Sequence, residues 1–419
     1  MFAARIHDPN MKPVIVISLI TAVCLFGDSM LYVALPIHWK EAGLASLIEV
    51  GILLSVNRFI RLPLNPLISW IYGKMSIRYG LVLAILLAGM TTLSYGFAQG
   101  FWLWLVMRCL WGAAWSFLRL GGYFLILDVS TGQNRGHYMG MYNGLFRLGS
   151  LVGMLAGGIF VDLFGLKPVA AVFGVLAFVA LPAALFLIPA AKRDEAPEAE
   201  AGAKKRADKR QFFTEPAFIW TIVTVFFAML CLEGMFTATL SHVIDVRLGS
   251  GQELFGLALG AASLAGLLQA ARWGAGPFLS PWVGKRTDGK WGRKPYLIAL
   301  LLLAALLMAC VQIRMPFWIW TLNLFAILLV ATMLTTVMDA LASDLSSAAG
   351  KAAVMTWFVI AADVGASFGP FLGYLSERIF GLDVTFWMSA LLLFLLGAGW
   401  LFASAKRNEK IRPDHAAGA

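Results

Sequence analysis

Apolar residues run along this chain in blocks of twenty or so, divided by short polar breaks. The blocks are too long and too evenly apolar to be strands. A helix needs about 20 mostly apolar residues to cross a bilayer. The pattern predicts helices over 13–38, 46–72, 80–99, 101–128, 137–163, 168–190, 215–246, 254–283, 295–313, 316–346, 352–377 and 383–405. Several breaks are only a few residues long, such as Ala98 to Gly100 and Gly165 to Lys167. The longest, Ala191 to Thr214, reads AKRDEAPEAEAGAKKRADKRQFFT and has no apolar period, as expected of a disordered linker. The expected fold is an all-α integral membrane protein of twelve transmembrane helices. It divides into an N-terminal six-helix bundle (1–190), a cytoplasmic linker (191–214), a C-terminal six-helix bundle (215–405) and a cytoplasmic tail (406–419).

Composition agrees with a chain solvated by lipid. Hydrophobic residues make up 60% and charged ones 13%, where soluble domains run nearer half and a quarter. Charge then gives the orientation. Of the 33 Lys and Arg residues, five fall in loops on one side: Lys40, Lys167, Arg247, Arg314 and Arg378. Six fall inside spans: Arg58, Arg61, Arg108, Arg119, Arg147 and Arg272. All the others lie on the opposite side, which the positive-inside rule makes cytoplasmic, with both termini. The formal charge of +10 therefore reflects basic cytoplasmic loops, and no nucleic-acid partner is expected. Cys24, Cys109, Cys231 and Cys310 lie inside apolar runs with no CxxC spacing, so neither a disulfide nor a metal site is expected. The first apolar run is too long for a signal core and no A-x-A site follows it.

The two halves repeat. An offset of 205 aligns Asp28, Met30 and Leu35 in helix one with Glu233, Met235 and Leu240 in helix seven. An offset of 211 aligns Arg61, Pro66 and Gly73 with Arg272, Pro277 and Gly284. An offset of 216 aligns Gly149, Gly153 and Gly157 with Gly365, Gly369 and Gly373, and pairs Arg147 with Asp363, Asp128 with Asp344 and Arg135 with Lys351. Both halves start on the same side, so they are parallel repeats about an axis along the membrane normal, as transporters often have.

The chain resembles the major facilitator superfamily over its whole length. The loop signature G-x-x-x-D-R-x-G after helix two stands as Gly73 to Gly80, with Arg78 kept and Ile77 in the place of the Asp. Its second copy reads G284-K-R-T-D288-G-K-W-G292-R293-K294, with Asp288 kept and one residue inserted. The helix-four motif R-x-x-Q-G appears as R108-C-L-W-G112, and the exporter motif G-x-x-x-G-P-x-x-G-G as G149-S-L-V-G153-M-L-A-G157-G158. An acid in helix one, Asp28, resembles the drug/proton antiporter branch. The resemblance implies secondary transport by alternating access, without a cofactor and as a monomer. It implies gating roles for Gly73, Arg78, Gly80, Arg108, Gly149, Gly153, Gly157, Gly284, Asp288, Arg293, Gly369 and Pro370.

The intramembrane charges are the candidate chemistry, because a charge in hydrocarbon costs at least about 2.5–3.5 kcal/mol and needs a partner or a wet cavity. By position, Asp28, Arg58, Arg61, Arg119, Arg147, Glu233, Arg272 and Asp363 lie near mid-depth. Arg58 and Arg61 share a helix face with Asn65, and Arg108 and Arg119 fall within about 20° of one face. Some of these charges are expected to be interhelical struts, Arg147 and Asp363 above all. Asp28, Glu233 and Asp363 are the candidate proton carriers. Arg58, Arg61, Arg119, Arg147 and Arg272 are the candidate substrate ligands, and their excess over the acids favours an anionic or zwitterionic small molecule, since a guanidinium grips two oxygens at once. The expected function is proton-coupled export. The alternatives are organic-anion uptake, export of a siderophore-like carboxylate chelator, hydrophobic-cation multidrug efflux, and, in another class, a lipid flippase or non-transporting sensor. Neither HExxH, G-x-S-x-G nor a paired His–Asp site is expected, so no enzyme is expected, and no Walker motif is present for direct use of ATP.

Overall fold

The computed structural model describes residues 11–130, 134–189, 216–248, 260–289, 292–349 and 351–409. Among these residues the chain forms twelve helices and no strand. They are α1 (Met11–His38), α2 (Leu47–Phe59 and Arg61–Lys74), α3 (Ile77–Ser94), α4 (Phe101–Val129), α5 (Arg135–Phe164) and α6 (Leu166–Phe178 and Ala180–Leu187). The second set comprises α7 (Pro216–Ala228, a π-helical stretch Met229–Phe236, and Thr237–Leu248), α8 (Ala261–Thr287), α9 (Arg293–Cys310), α10 (Phe317–Ala349), α11 (Lys351–Phe380) and α12 (Leu382–Glu409). The linker 191–214, residues 254–259 of the expected eighth helix and most of the tail lie outside the described residues.

Ten of the twelve are long and apolar enough to cross a membrane by that criterion alone. The other two, α2 and α8, hold the intramembrane Arg58, Arg61, Gln269 and Arg272. In α2 the pieces of 13 and 14 residues meet at Ile60, whose N–H still bonds to Val56 O at 2.9 Å. Pro63 has no N–H to offer the carbonyl of Phe59, which explains the break. Pro182 does the same in α6, where the helix is interrupted at Val179. The third helix ends at Ser94, short of the expected 99, because Tyr95 to Gly100 form a tight turn and Gly100, at φ 82°, opens α4. Trp102, Phe186 and Phe278 are 76%, 80% and 81% exposed, which suits side chains that face lipid.

The chain divides into two compact units. The first comprises 1–204 with 235–274 and 367–375; the second comprises 205–234, 275–366 and 376–419. In the first, α1 is the most enclosed helix, with most of its residues from Ile17 to Pro36 buried. It lies along α5 because α5 presents glycines to it. A side chain at Gly149, Gly153 or Gly157 would run into Ala22, Phe26 or Met30 respectively. This is small-residue packing, the contact that apolar attraction alone does not supply in lipid. The duplicate contact recurs between α11 and α7, where Gly365 lies against Phe226 and Gly373 against Met235. Between the paired contacts, α7 spends nine residues (Phe226 to Met235) where α1 spends eight (Ala22 to Met30). The π-helical stretch absorbs that one extra residue.

In the second unit, α9 packs along α12 and along α10, with the Trp400 indole N–H donating to Thr224 Oγ1 at 2.9 Å and the Trp320 N–H to Val311 O at 2.8 Å. Buried indoles in lipid need such partners.

Gly149→Val forces α1 and α5 apart and is expected to cost at least about 1–3 kcal/mol. Thermal unfolding in detergent checks this against Gly73→Val, since a Cβ at Gly73 meets nothing within 4 Å. Equal losses at both positions would show that the helix contact is not the cause.

Candidate functional site

Asp28 and Arg108 meet in the interior of the first unit. Arg108 has no exposed surface, and its Nη1 donates to Asp28 Oδ1 at 2.5 Å. Its Nε donates to Leu53 O at 3.1 Å, and Asn57 Nδ2 donates to the same Asp28 oxygen at 3.1 Å. Three helices therefore converge on one carboxylate: α1 supplies the acid, α4 the guanidinium, and α2 the amide and a carbonyl. The sequence separates these residues into a proton carrier and a gating motif; the structure makes them one pair. Asp28 is taken up by an arginine outside the five candidate substrate ligands, so it neutralises none of those. Below Arg108, Tyr95 stacks on Trp104 with ring centroids 4.8 Å apart. Asn57 is a residue the sequence reading missed, and its only signal is a polar side chain one position before Arg58.

The five candidate arginines fall into four settings. Arg58 Nε donates to the Tyr32 hydroxyl at 3.4 Å. Arg119 lies over the rings of Trp115 and Tyr123, at 5.8 and 5.3 Å from their centroids. Arg147 and Arg272 both approach the ring of Trp273, at 5.4 and 5.2 Å. Arg272 is buried at 3% exposure, while Arg147 is exposed. Arg61 is half-buried. Cation–π contacts of this kind hold a guanidinium in place.

The remaining acids belong to the second unit. Glu233 is half-buried and sits inside the π-helical stretch, a form that favours functional positions because it loosens the local ladder. Asp363 is exposed on α11. Contrary to the expectation that no G-x-S-x-G stands in the chain, the run G365-A-S367-F-G369 has the spacing of that serine-hydrolase motif. That motif needs a strand-to-helix turn. Here it is helical throughout, inside α11.

The two copies of the loop signature differ in structure as in sequence. Arg78, beside Ile77, donates through Nε to Ile188 O at 2.7 Å, capping the end of α6, and makes no ion pair among the described residues. A positive group at a helix C-terminus is stabilising. In the second copy, Arg293 bridges two acids, Asp288 Oδ1 and Asp344 Oδ2, each at 3.0 Å. This bridge lines a cavity of about 520 Å³ with Thr221, Thr287, Lys294 and Trp400. Gly73 and Gly284 have open space where a side chain would go, while Gly80 lies against Tyr72.

At the opposite end of the helices, α5 and α8 close on each other. Gly158 lies against the backbone of Ala262 and Ser263, and Gly266 against Met154 O. Asp162 Oδ2 accepts the Ser263 N–H at 2.7 Å and its hydroxyl at 2.5 Å, so a carboxylate from α5 caps the first turn of α8. Ser55 Oγ in α2 accepts the Phe371 N–H at 3.2 Å, beside Pro370, whose carbonyl lies close to Gly51. Asp162 went unremarked in sequence because it sits at a helix end, where an acid is commonplace.

Removing the charge of Asp28 strands a fully buried guanidinium. Asp28→Asn and Arg108→Gln are each expected to cost about 3–5 kcal/mol, with much of the loss recovered in the double variant. Thermal denaturation of the four proteins measures this, and strictly additive losses would show the pair to be uncoupled.

A family model described as Major Facilitator Superfamily matches residues 17–278. The chain is 22% identical over 379 residues to a protein named multidrug resistance protein MdtG from Proteus mirabilis, covering 88% of this chain and 90% of that one. A protein of the same name from Dickeya zeae is 26% identical over 343 residues, covering 80% and 79%. Among solved structures, a bacterial homolog of the human lysosomal transporter Spinster, inward-facing and unoccupied, superposes with a TM-score of 0.74 at 15% identity, covering 98% of this chain and all of that one. A peptide transporter, POT, in complex with sulfate superposes with a TM-score of 0.71 at 13% identity, covering 95% and 94%.

Proposed function

The chain belongs to the major facilitator superfamily and is a membrane transporter, and from that premise we propose that it exports an anionic or zwitterionic small molecule in exchange for protons. The observation that carries the proposal is the buried Asp28–Arg108 pair, a titratable acid at the junction of three helices. Protonating Asp28 cancels the charge that holds Arg108, so a proton taken up there loosens α1 from α4 and α2. Glu233, at the aligned position of the other half and in a loosened helix, is the second coupling acid, and Asp363 the third. Arg58, Arg61, Arg119, Arg147 and Arg272 form the anion-selective surface. In this reading the protein lies in a bacterial inner membrane with both termini cytoplasmic. The Asp162–Ser263 and Ser55–Phe371 contacts then close the outer side, and the Asp288–Arg293–Asp344 bridge latches the inner one. The relatives named for multidrug resistance favour a second reading, efflux of hydrophobic cations with the acids as counter-charges.

In proteoliposomes with an imposed pH gradient, Glu233→Gln is expected to abolish gradient-driven accumulation while leaving passive equilibration of the solute. Accumulation equal to the wild type would move the proton route to Asp363.

Competition binding with matched anionic and cationic ligands separates the two readings. Arg61→Lys keeps the charge but loses the two-pronged grip, and is expected to weaken anion binding by about tenfold. Tight cation binding that survives Arg61→Ala and Arg272→Ala would decide for the cation pump.

A further inference from the structure

Helix α8 carries two polar side chains that no role above uses. Gln269 is 1% exposed, and both atoms of its carboxamide are buried without a hydrogen-bond partner among the described residues. Trp273 lies one turn further along, and its indole N–H is also buried and unpartnered. Residues four apart share a helix face. Arg272 lies between them in sequence, and the ring of Trp273 is within 5.4 Å of both the Arg147 and the Arg272 guanidinium carbons. These side chains follow directly on the close crossing of α5 and α8 at Gly266 and Met154. They occupy the stretch where the crossing ends and the arginines begin.

Three unpartnered polar atoms within one turn are costly. Each buried donor or acceptor left without a bond costs about 1–3 kcal/mol, and leucine would fill the same space without that penalty. Such groups in a native protein call for an explanation, and a bound solute that completes them is one. The indole N–H needs an acceptor. The Gln269 Nε2 needs another acceptor, and its Oε1 needs a donor. A carboxylate or phosphonate offers acceptors only, so it would leave Oε1 unmet. An amide offers both a C=O and an N–H: the N–H can donate to Oε1 while the C=O accepts from the Trp273 indole or from Nε2. A hydrophobic cation satisfies none of the three.

We propose that Gln269 and Trp273 read the neutral portion of the transported solute, and that this solute is an organic acid carrying an amide beside its acid group. The inference rests on the anion reading above: the arginines hold the acid, and Gln269 with Trp273 select among acids.

Three matched probes test it on the purified full-length protein in detergent: N-acetyl-L-phenylalanine, 3-phenylpropanoate (the acid without the amide) and N-acetyl-L-phenylalanine methyl ester (the amide without the charge). Wild type is expected to bind the first about tenfold more tightly than the second, the effect of one well-made bond pair. Gln269→Met and Trp273→Phe are expected to cut that ratio below about threefold, because each removes a partner of the amide. A separate readout needs no ligand: Gln269→Met is expected to raise the Tm of the unliganded protein by about 2–4 °C, because an apolar chain of like size replaces unpartnered polar atoms. A fall in Tm would make Gln269 a structural residue and overturn the inference, as would an unchanged ratio in both variants, equal binding of the two acids, or binding of none of the probes. Failure of the anion reading looks different: the neutral ester, or tetraphenylphosphonium, would bind as tightly as N-acetyl-L-phenylalanine, and both proposals would fall together.

Discussion

The guanidinium of Arg108 has no exposed surface, and it survives there because Asp28 and the carbonyl of Leu53 meet it from two other helices. In hydrocarbon no water relieves an unpaired charge, so this contact fixes where α1, α2 and α4 can lie. The rest of the first unit follows from the position of α1. Once α1 is anchored by its acid, the glycine face of α5 can approach its backbone closely, and the C-terminal half of α7 packs on its remaining side. A charge pair and a set of missing side chains thus do complementary work: the first specifies which helices meet, the second how near they come.

Much of the architecture was legible from the chain alone because lipid simplifies the code. Long apolar blocks have one structural solution in a bilayer, so the number and order of helices followed from pattern and length. The spans that are least apolar, α2 and α8, were still recognisable from their aligned Arg–x₄–Pro runs. Local backbone events were harder to read. The break at Ile60 follows from Pro63, but the π-helical stretch around Glu233 has no composition signal, since it reflects a count of residues between two contacts rather than any residue type.

The candidate site was legible in its members and not in its pairings. Asp28 and Arg108 are 80 positions apart, and both stood out as charges in apolar surroundings. Nothing in spacing says that they are each other's partner, because pairing across helices depends on rotation and depth. Asn57 and Gln269 were passed over for another reason. A neutral amide in an apolar run carries a weak signal next to five arginines, yet its cost when unpartnered is comparable to that of a lost hydrogen bond. The two loop copies show the same limit: Ile77 announced an altered first copy, but only geometry revealed that Arg78 is re-employed as a helix cap while Arg293 bridges two acids.

The extra residue in α7 bears on how the two halves correspond. The glycine contacts on α5 and α11 are still in register at both ends, with Ala22 and Met30 answered by Phe226 and Met235. One extra residue in one of two matching helices would ordinarily rotate everything beyond it by about 100°. Winding the surplus into a wider turn keeps both flanking contacts. The cost fell on a short stretch of backbone that its sister helix does not have, and Glu233 stands in it. The two halves therefore keep matched glycine contacts and differ in backbone at the very position where their acids correspond.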